Sequence, residues 1–97
     1  MDVATLRDRL VEAVKRKFPN EFSAQQRFIS VVTQMGELGD LILISDKVKE
    51  NHKQLHNSPQ QALVDVMIDL LILSKMLDVD IEKEIEKALE WFNQPTA

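Results

Sequence analysis

An all-α domain, four helices packed in a bundle-like arrangement, is the fold this sequence predicts, and three observations predict it. Leu, Glu, Lys, Ala, Gln and Met, all good helix formers, together make up nearly half of the chain. Only two glycines and three prolines interrupt the 97 residues, so elements run long and turns are few. Two capping boxes, Ser23-Ala24-Gln25-Gln26 and Ser58-Pro59-Gln60-Gln61, each open a long apolar-rich segment. The length fits a single domain over residues 1–97, without internal repeat or linker.

The first helix is expected from about Val3 to Lys17, with Asp2 as N-cap and an apolar stripe of Leu6, Leu10, Ala13 and Val14. Pro19 ends it, and Phe18 and Phe22 are expected to plug the corner. The second helix starts after Ser23 and reaches at least Ser45, with Phe28, Val31, Val32, Met35, Leu38 and Ile42 as its core stripe. Gly36 and Gly39 lie inside it, each costing roughly 1 kcal/mol against alanine, so a packing or close-approach reason is expected. A link rich in Lys, Asn and His covers 46–57. The third helix has Pro59 at its first position and ends near Leu77. Asp78 or Asp80 caps the fourth, where Ile81, Ile85, Ala88, Leu89 and Phe92 form the inner stripe. Residues 93–97 have no reason to be ordered.

The third helix carries the main chemical question. Gln61 to Met76 is apolar on nearly every side, which marks a buried helix, yet Asp65 and Asp69 stand one turn apart on it. An unpaired buried carboxylate is very costly, so a cation must meet them: an arginine or lysine, or a metal ion. The second helix has its own pair, Glu37 and Asp40, three residues apart and roughly opposite the apolar stripe. Their plain reading is a solvated face. If the two acidic faces meet, up to four carboxylates converge, and hard cations such as Mg²⁺ or Mn²⁺ favour such oxygen ligands.

Composition narrows the alternatives. A net charge of −4 gives no support for nucleic-acid binding, which leaves a basic footprint. Zero cysteines exclude disulfides and thiolate-bound metals. The start of the chain is amphipathic and lacks an apolar signal region, and the third helix is too short and too acidic to span a bilayer. A soluble, cytoplasmic protein without a membrane partner is the expectation.

The stretch Thr33-Gln34-Met35-Gly36-Glu37-Leu38-Gly39-Asp40 resembles the EExGEL signature of the MazG-like all-α nucleoside triphosphate pyrophosphohydrolases. Asp65-Val66-Met67-Ile68-Asp69-Leu70-Leu71 resembles that family's second motif, ExxDVLxxLL, and Leu77 through Lys87 is similar to its closing helix. The likeness covers about Phe28 to Trp91. It implies a MazG-type fold, and a divalent metal, Mg²⁺ or Mn²⁺, held by the two signatures against a triphosphate. The implied reaction releases a nucleoside monophosphate and pyrophosphate, with non-standard nucleotides as a possible substrate class. Glu37 matches the last glutamate of the first motif and Asp65 the aspartate of the second; these two are the implied catalytic residues. Thr33 and Gln34 stand where paired glutamates are expected, and Ala62 where the second motif has its glutamate. Gln34 still offers a carbonyl oxygen. Asp40 and Asp69, each one turn beyond a matching acid, compensate if the ion shifts along the helix pair. The expected metal set is therefore Gln34, Glu37, Asp40, Asp65 and Asp69. Lys87 matches a basic position of the last helix and is the candidate phosphate contact, an exposed helical lysine being its plain reading. The alternative is a module of the same fold, catalytically weakened or inactive, that oligomerises or binds nucleotide.

Other signals are weaker. His52 and His56 have the spacing of a helical zinc pair, without a third ligand nearby, and read as a solvated link. Lys47, Lys49 and Lys53 fit a surface charge run as well as a phosphate contact. Trp91 and Phe92 fit a core or interface cap better than a base stack. The third helix has more apolar surface than three small neighbours can cover. A homodimer or dimer of dimers is expected, with helices two and three in the interface.

Overall fold

The computed structural model describes residues 2–51 and 55–96, and among them it contains helices and no strand. Four α-helices follow in order: α1 (Val3–Lys17), α2 (Ala24–Ser45), α3 (Pro59–Met76) and α4 (Ile81–Phe92), with a single 3₁₀ turn at Pro19–Glu21. The all-α class is therefore as the sequence predicts. His52 of the His52–His56 pair, and Lys53 of the lysine run, fall outside the described residues.

Local chemistry sets the ends of each helix. Asp2 accepts the Thr5 backbone N–H at 2.7 Å, and this bond holds its carboxyl below the usual aspartate range. Ser23 and Ser58 accept the N–H groups of Gln26 and Gln61, both at 3.1 Å. Of the two candidates at the fourth helix, Asp80 is the cap, accepting from Lys83 N–H at 3.2 Å. Asp78 instead closes α3 in the left-handed region, φ 56°, while Val79 N–H reaches back to the Ser74 carbonyl at 2.8 Å. The corner after α1 is only partly plugged. Phe22 is half-buried beneath the Lys15 ammonium, but Phe18 is exposed.

Packing centres on α2 and α3. Arg27, near the start of α2, meets Asp69 in the second half of α3, while Leu41 and Ala62 are buried toward the opposite ends; the two helices run antiparallel. Helix α1 lies on α3, and α4 lies mainly on α1. Arg7 fixes the joint between α3 and α4 by donating from Nη1 to Ser74 Oγ at 3.0 Å and to the Val79 carbonyl at 2.7 Å. Val3 N–H donates to Glu82 Oε1 at 3.1 Å and ties α4 to the start of α1. The result is an open bundle. Its radius of gyration is 16.4 Å, against about 12.5 Å for a compact domain of this length.

The apolar core is small: Val11, Val31, Leu41, Ala62, Val66 and Ile72. The expected stripe of α2 is overturned in four of its six positions. Phe28, Val32, Met35 and Ile42 are exposed, and the line that faces α3 is Arg27, Ser30, Val31, Gln34, Leu38 and Leu41. The reason is electrostatic. Asp69 is 5% exposed and receives Arg27 Nη1 at 3.1 Å and Ser30 Oγ at 2.5 Å, so those two residues must turn inward and carry their face of the helix with them. Helix α3 is likewise not buried all round, because Leu63, Val64, Met67 and Leu70 remain exposed beside α1 and α4. On α4, Ile85, Leu89 and Phe92 of the expected inner stripe are exposed as well.

Removing one partner of the buried pair strands the other. Asp69→Ala is expected to lower unfolding free energy by about 3 kcal/mol or more, measured by urea denaturation. Replacing both partners, Arg27→Met with Asp69→Leu, should cost less than Asp69→Ala alone. Equal losses would remove the ion pair from its organising place.

Candidate functional site

The candidate site is built on the seam between α2 and α3, and the Arg27–Asp69 pair sets its register. An α-helix rises about 1.5 Å per residue, so stepping in opposite directions from that pair gives the levels along the seam. From Arg27–Asp69, Gln34 falls level with Ala62 and Glu37 with Pro59; from Ser30–Asp69 they fall level with Asp65 and Ala62. Gln34 therefore lies between the levels of Ala62 and Asp65, and Glu37 between those of Pro59 and Ala62. Ala62 itself is fully buried. With no side chain beyond Cβ at this point, the two helices close on each other where a longer acid would otherwise stand.

Gln34, Glu37 and Asp65 are all half-buried. Gln34 Oε1 is shielded from solvent and has no hydrogen-bond donor among the described residues. A buried carbonyl oxygen left unpaired costs roughly 1–3 kcal/mol, which makes it a position that favours a donor or a cation. Asp65 Oδ2 accepts a long contact, 3.5 Å, from Asn57 Nδ2. Asn57 is in turn held by its neighbour, its Oδ1 accepting Ser58 N–H at 3.0 Å. Among the described residues neither Glu37 nor Asp65 pairs with a lysine or arginine.

The remaining expected ligands stand in other company. Both oxygens of Asp69 are engaged, one by Arg27 and one by Ser30. Of the two partners left open for the acidic stripe, arginine is the one found at Asp69. Asp40 receives Lys49 Nζ at 2.6 Å. Lys87 lies on exposed α4, with its Nζ 3.4 Å from Glu84 Oε1 on the same helix. Among the described residues no three Asp, Glu or His side chains gather as a metal-binding group. Of the expected ligands, at most Glu37, Asp65 and the amide oxygen of Gln34 are left for a cation on this seam. His56, the described member of the histidine pair, is exposed, as are Trp91 and Phe92, whose rings meet edge to face at 5.0 Å.

Three contributors escape a reading of acids alone: Arg27, Ser30 and Asn57. Arg27, Ser30 and Gln34 share one face at i, i+3 and i+7, a signal that a search for apolar stripes passes over.

No family model matches this chain, and neither a curated protein nor a solved structure does.

The unpaired oxygen makes a clear stability prediction. Gln34→Leu removes a buried carbonyl that has no partner while keeping similar bulk, so thermal unfolding should show unchanged or higher stability, by up to about 1 kcal/mol. A loss above about 1 kcal/mol would mean that Gln34 makes a hydrogen bond in the folded protein.

Proposed function

We propose that the chain binds a divalent cation, Mg²⁺ or Mn²⁺, together with a nucleoside triphosphate at Gln34, Glu37 and Asp65, and hydrolyses it to monophosphate and pyrophosphate. One observation carries the reading: a buried carbonyl oxygen without a donor, Gln34 Oε1, lies within about one helical turn of the level of Asp65, a half-buried acid that has no cationic partner among the described residues. The likeness of the two motifs to the MazG-like pyrophosphohydrolases supports the same positions.

The donor set fits the group. Mg²⁺ is commonly held by one or two carboxylates, with substrate phosphates and water completing its shell, so two acids and an amide oxygen suffice chemically. When bound, the cation supplies shielding of phosphate charge and a lowered pKa for coordinated water. The protein's own residues do the placing. Asp65 has a long contact from Asn57 on one side, and the Arg27–Asp69 and Ser30–Asp69 contacts set a register that leaves Gln34 within about one helical turn of it. Glu37, half-buried and without an ion pair among the described residues, is with Asp65 one of the two carboxylates that would hold the cation.

A second reading has its own support. With Asp69 bound to Arg27 and Asp40 to Lys49, fewer acids are free than the ligand set expected from sequence, which favours a module that keeps the bundle and has weakened chemistry. Pyrophosphate release from a panel of nucleoside triphosphates, with and without Mg²⁺ or Mn²⁺, separates the two. Hydrolysis should require the metal and fall at least tenfold in Glu37→Gln and in Asp65→Asn. Calorimetric Mg²⁺ titration should give tighter binding to Gln34→Glu, which puts a third carboxylate on the seam. Absence of both turnover and cation binding in the unsubstituted protein would overturn the enzymatic reading.

A further inference from the structure

The outward face of α2 is a feature that the seam chemistry leaves unexplained. Phe28, Ile29, Val32, Met35, Ile42 and Leu43 lie on it, all between 40% and 63% exposed. No charged side chain stands among them. Gly36 and Gly39 occupy the middle of the same face, and a Cβ added at either would meet nothing within 4 Å. Among the described residues, then, nothing approaches these glycines, although each weakens the helix relative to alanine.

We propose that this face is the interface between two copies of the chain, with α2 crossing its counterpart at Gly36 and Gly39. Three observations specify a second copy. First, the accessible surface of the whole chain is 7614 Å², about 1,900 Å² more than a folded monomer of this mass exposes, and the α2 face shares that excess with the apolar groove between α1, α3 and α4. A standard interface needs only about 800 Å² from each partner, and obligate homodimers bury more. Second, Phe28, Ile29, Val32, Met35, Gly36, Gly39, Ile42 and Leu43 carry no charge, so no charge near a twofold axis on this face would meet its own copy. Third, glycines near the middle of a helix allow two backbones to approach closely, and a crossing there places the remaining apolar residues symmetrically on either side. Arg27 and Asp69, on the opposite side of α2, stay within each chain and hold the apolar face outward. The inference is independent of the metal reading, since it is read out by mass rather than by turnover.

Lipid is the competing occupant. Helix α2 is long and apolar enough, by length and composition alone, to cross a membrane. Its inward face, however, carries Arg27, Gln34 and Glu37, which a bilayer would surround with hydrocarbon.

Sedimentation velocity from micromolar to millimolar protein tests the proposal. The unsubstituted chain should be dimeric or larger, and Val32→Glu and Gly36→Leu should each raise the dissociation constant at least tenfold. Circular dichroism should show both variants helical, or helical only as concentration rises, as for a fold coupled to association. Should Val32→Glu lose its helix at every concentration, Gly39→Ala decides: it adds a helix former in open space, so at least threefold weaker association supports the interface. Unchanged association of Gly39→Ala, with Tm raised by about 4–8 °C as expected for a bare helix face, overturns it. A monomer at all concentrations also overturns it. So does flotation of the unsubstituted chain with phosphatidylcholine–phosphatidylglycerol vesicles that Val32→Glu abolishes, which would assign the face to lipid.

Discussion

One ion pair decides how this molecule is put together. Asp69 sits in the middle of an apolar helix and is almost fully buried, so it must be met by a cation and by a hydrogen-bond donor. Arg27 and Ser30 of α2 supply both. Because they lie three residues apart, the pair fixes the rotation of α2 as well as its distance from α3. Gln34, Leu38 and Leu41 follow Arg27 inward along the same face, and the more apolar side of the helix is left outside.

Two consequences come from that single rotation. On the inner side, Gln34 is carried into the seam between the levels of Ala62 and Asp65, and its carbonyl oxygen is buried without a donor among the described residues. On the outer side, a run of large apolar residues and two bare glycines faces away from the chain. The polar seam and the greasy exterior are two faces of one arrangement. A buried ion pair is weak as a source of net stability, because the desolvation of both charges opposes their attraction. Its effect here lies in specifying one register and one face among several that the apolar residues alone would allow.

Much of the secondary structure was legible because it is local. The capping boxes at Ser23 and Ser58, Asp2 before Val3, and Pro59 at a first turn are short-range signals, and each helix begins where they indicate. Asp78 and Asp80 could not be told apart from sequence, because a left-handed closing residue and an N-cap draw on the same residue types. The face of α2 was misread for a different reason. Periodicity shows which side of a helix is apolar, but it does not say whether that side is covered by the same chain or by another molecule. The acids of the third helix were legible as needing a cation, while Arg27 was not legible as the one that answers at Asp69, since that pairing spans 42 residues. Lys87 failed to join the acids because α4 packs mainly on α1 and its lysine pairs with Glu84.

The central claim is that Arg27 and Asp69 hold the polar side of α2 inward and its apolar side outward. Because the chain contains no cysteine, single cysteines report on this orientation directly. Thiol labelling of the native protein at low concentration should modify Val32→Cys and Met35→Cys quickly and leave Val31→Cys and Leu41→Cys protected. Fast labelling at residues 31 and 41 with protection at 32 and 35, in a protein that remains helical, would contradict the account.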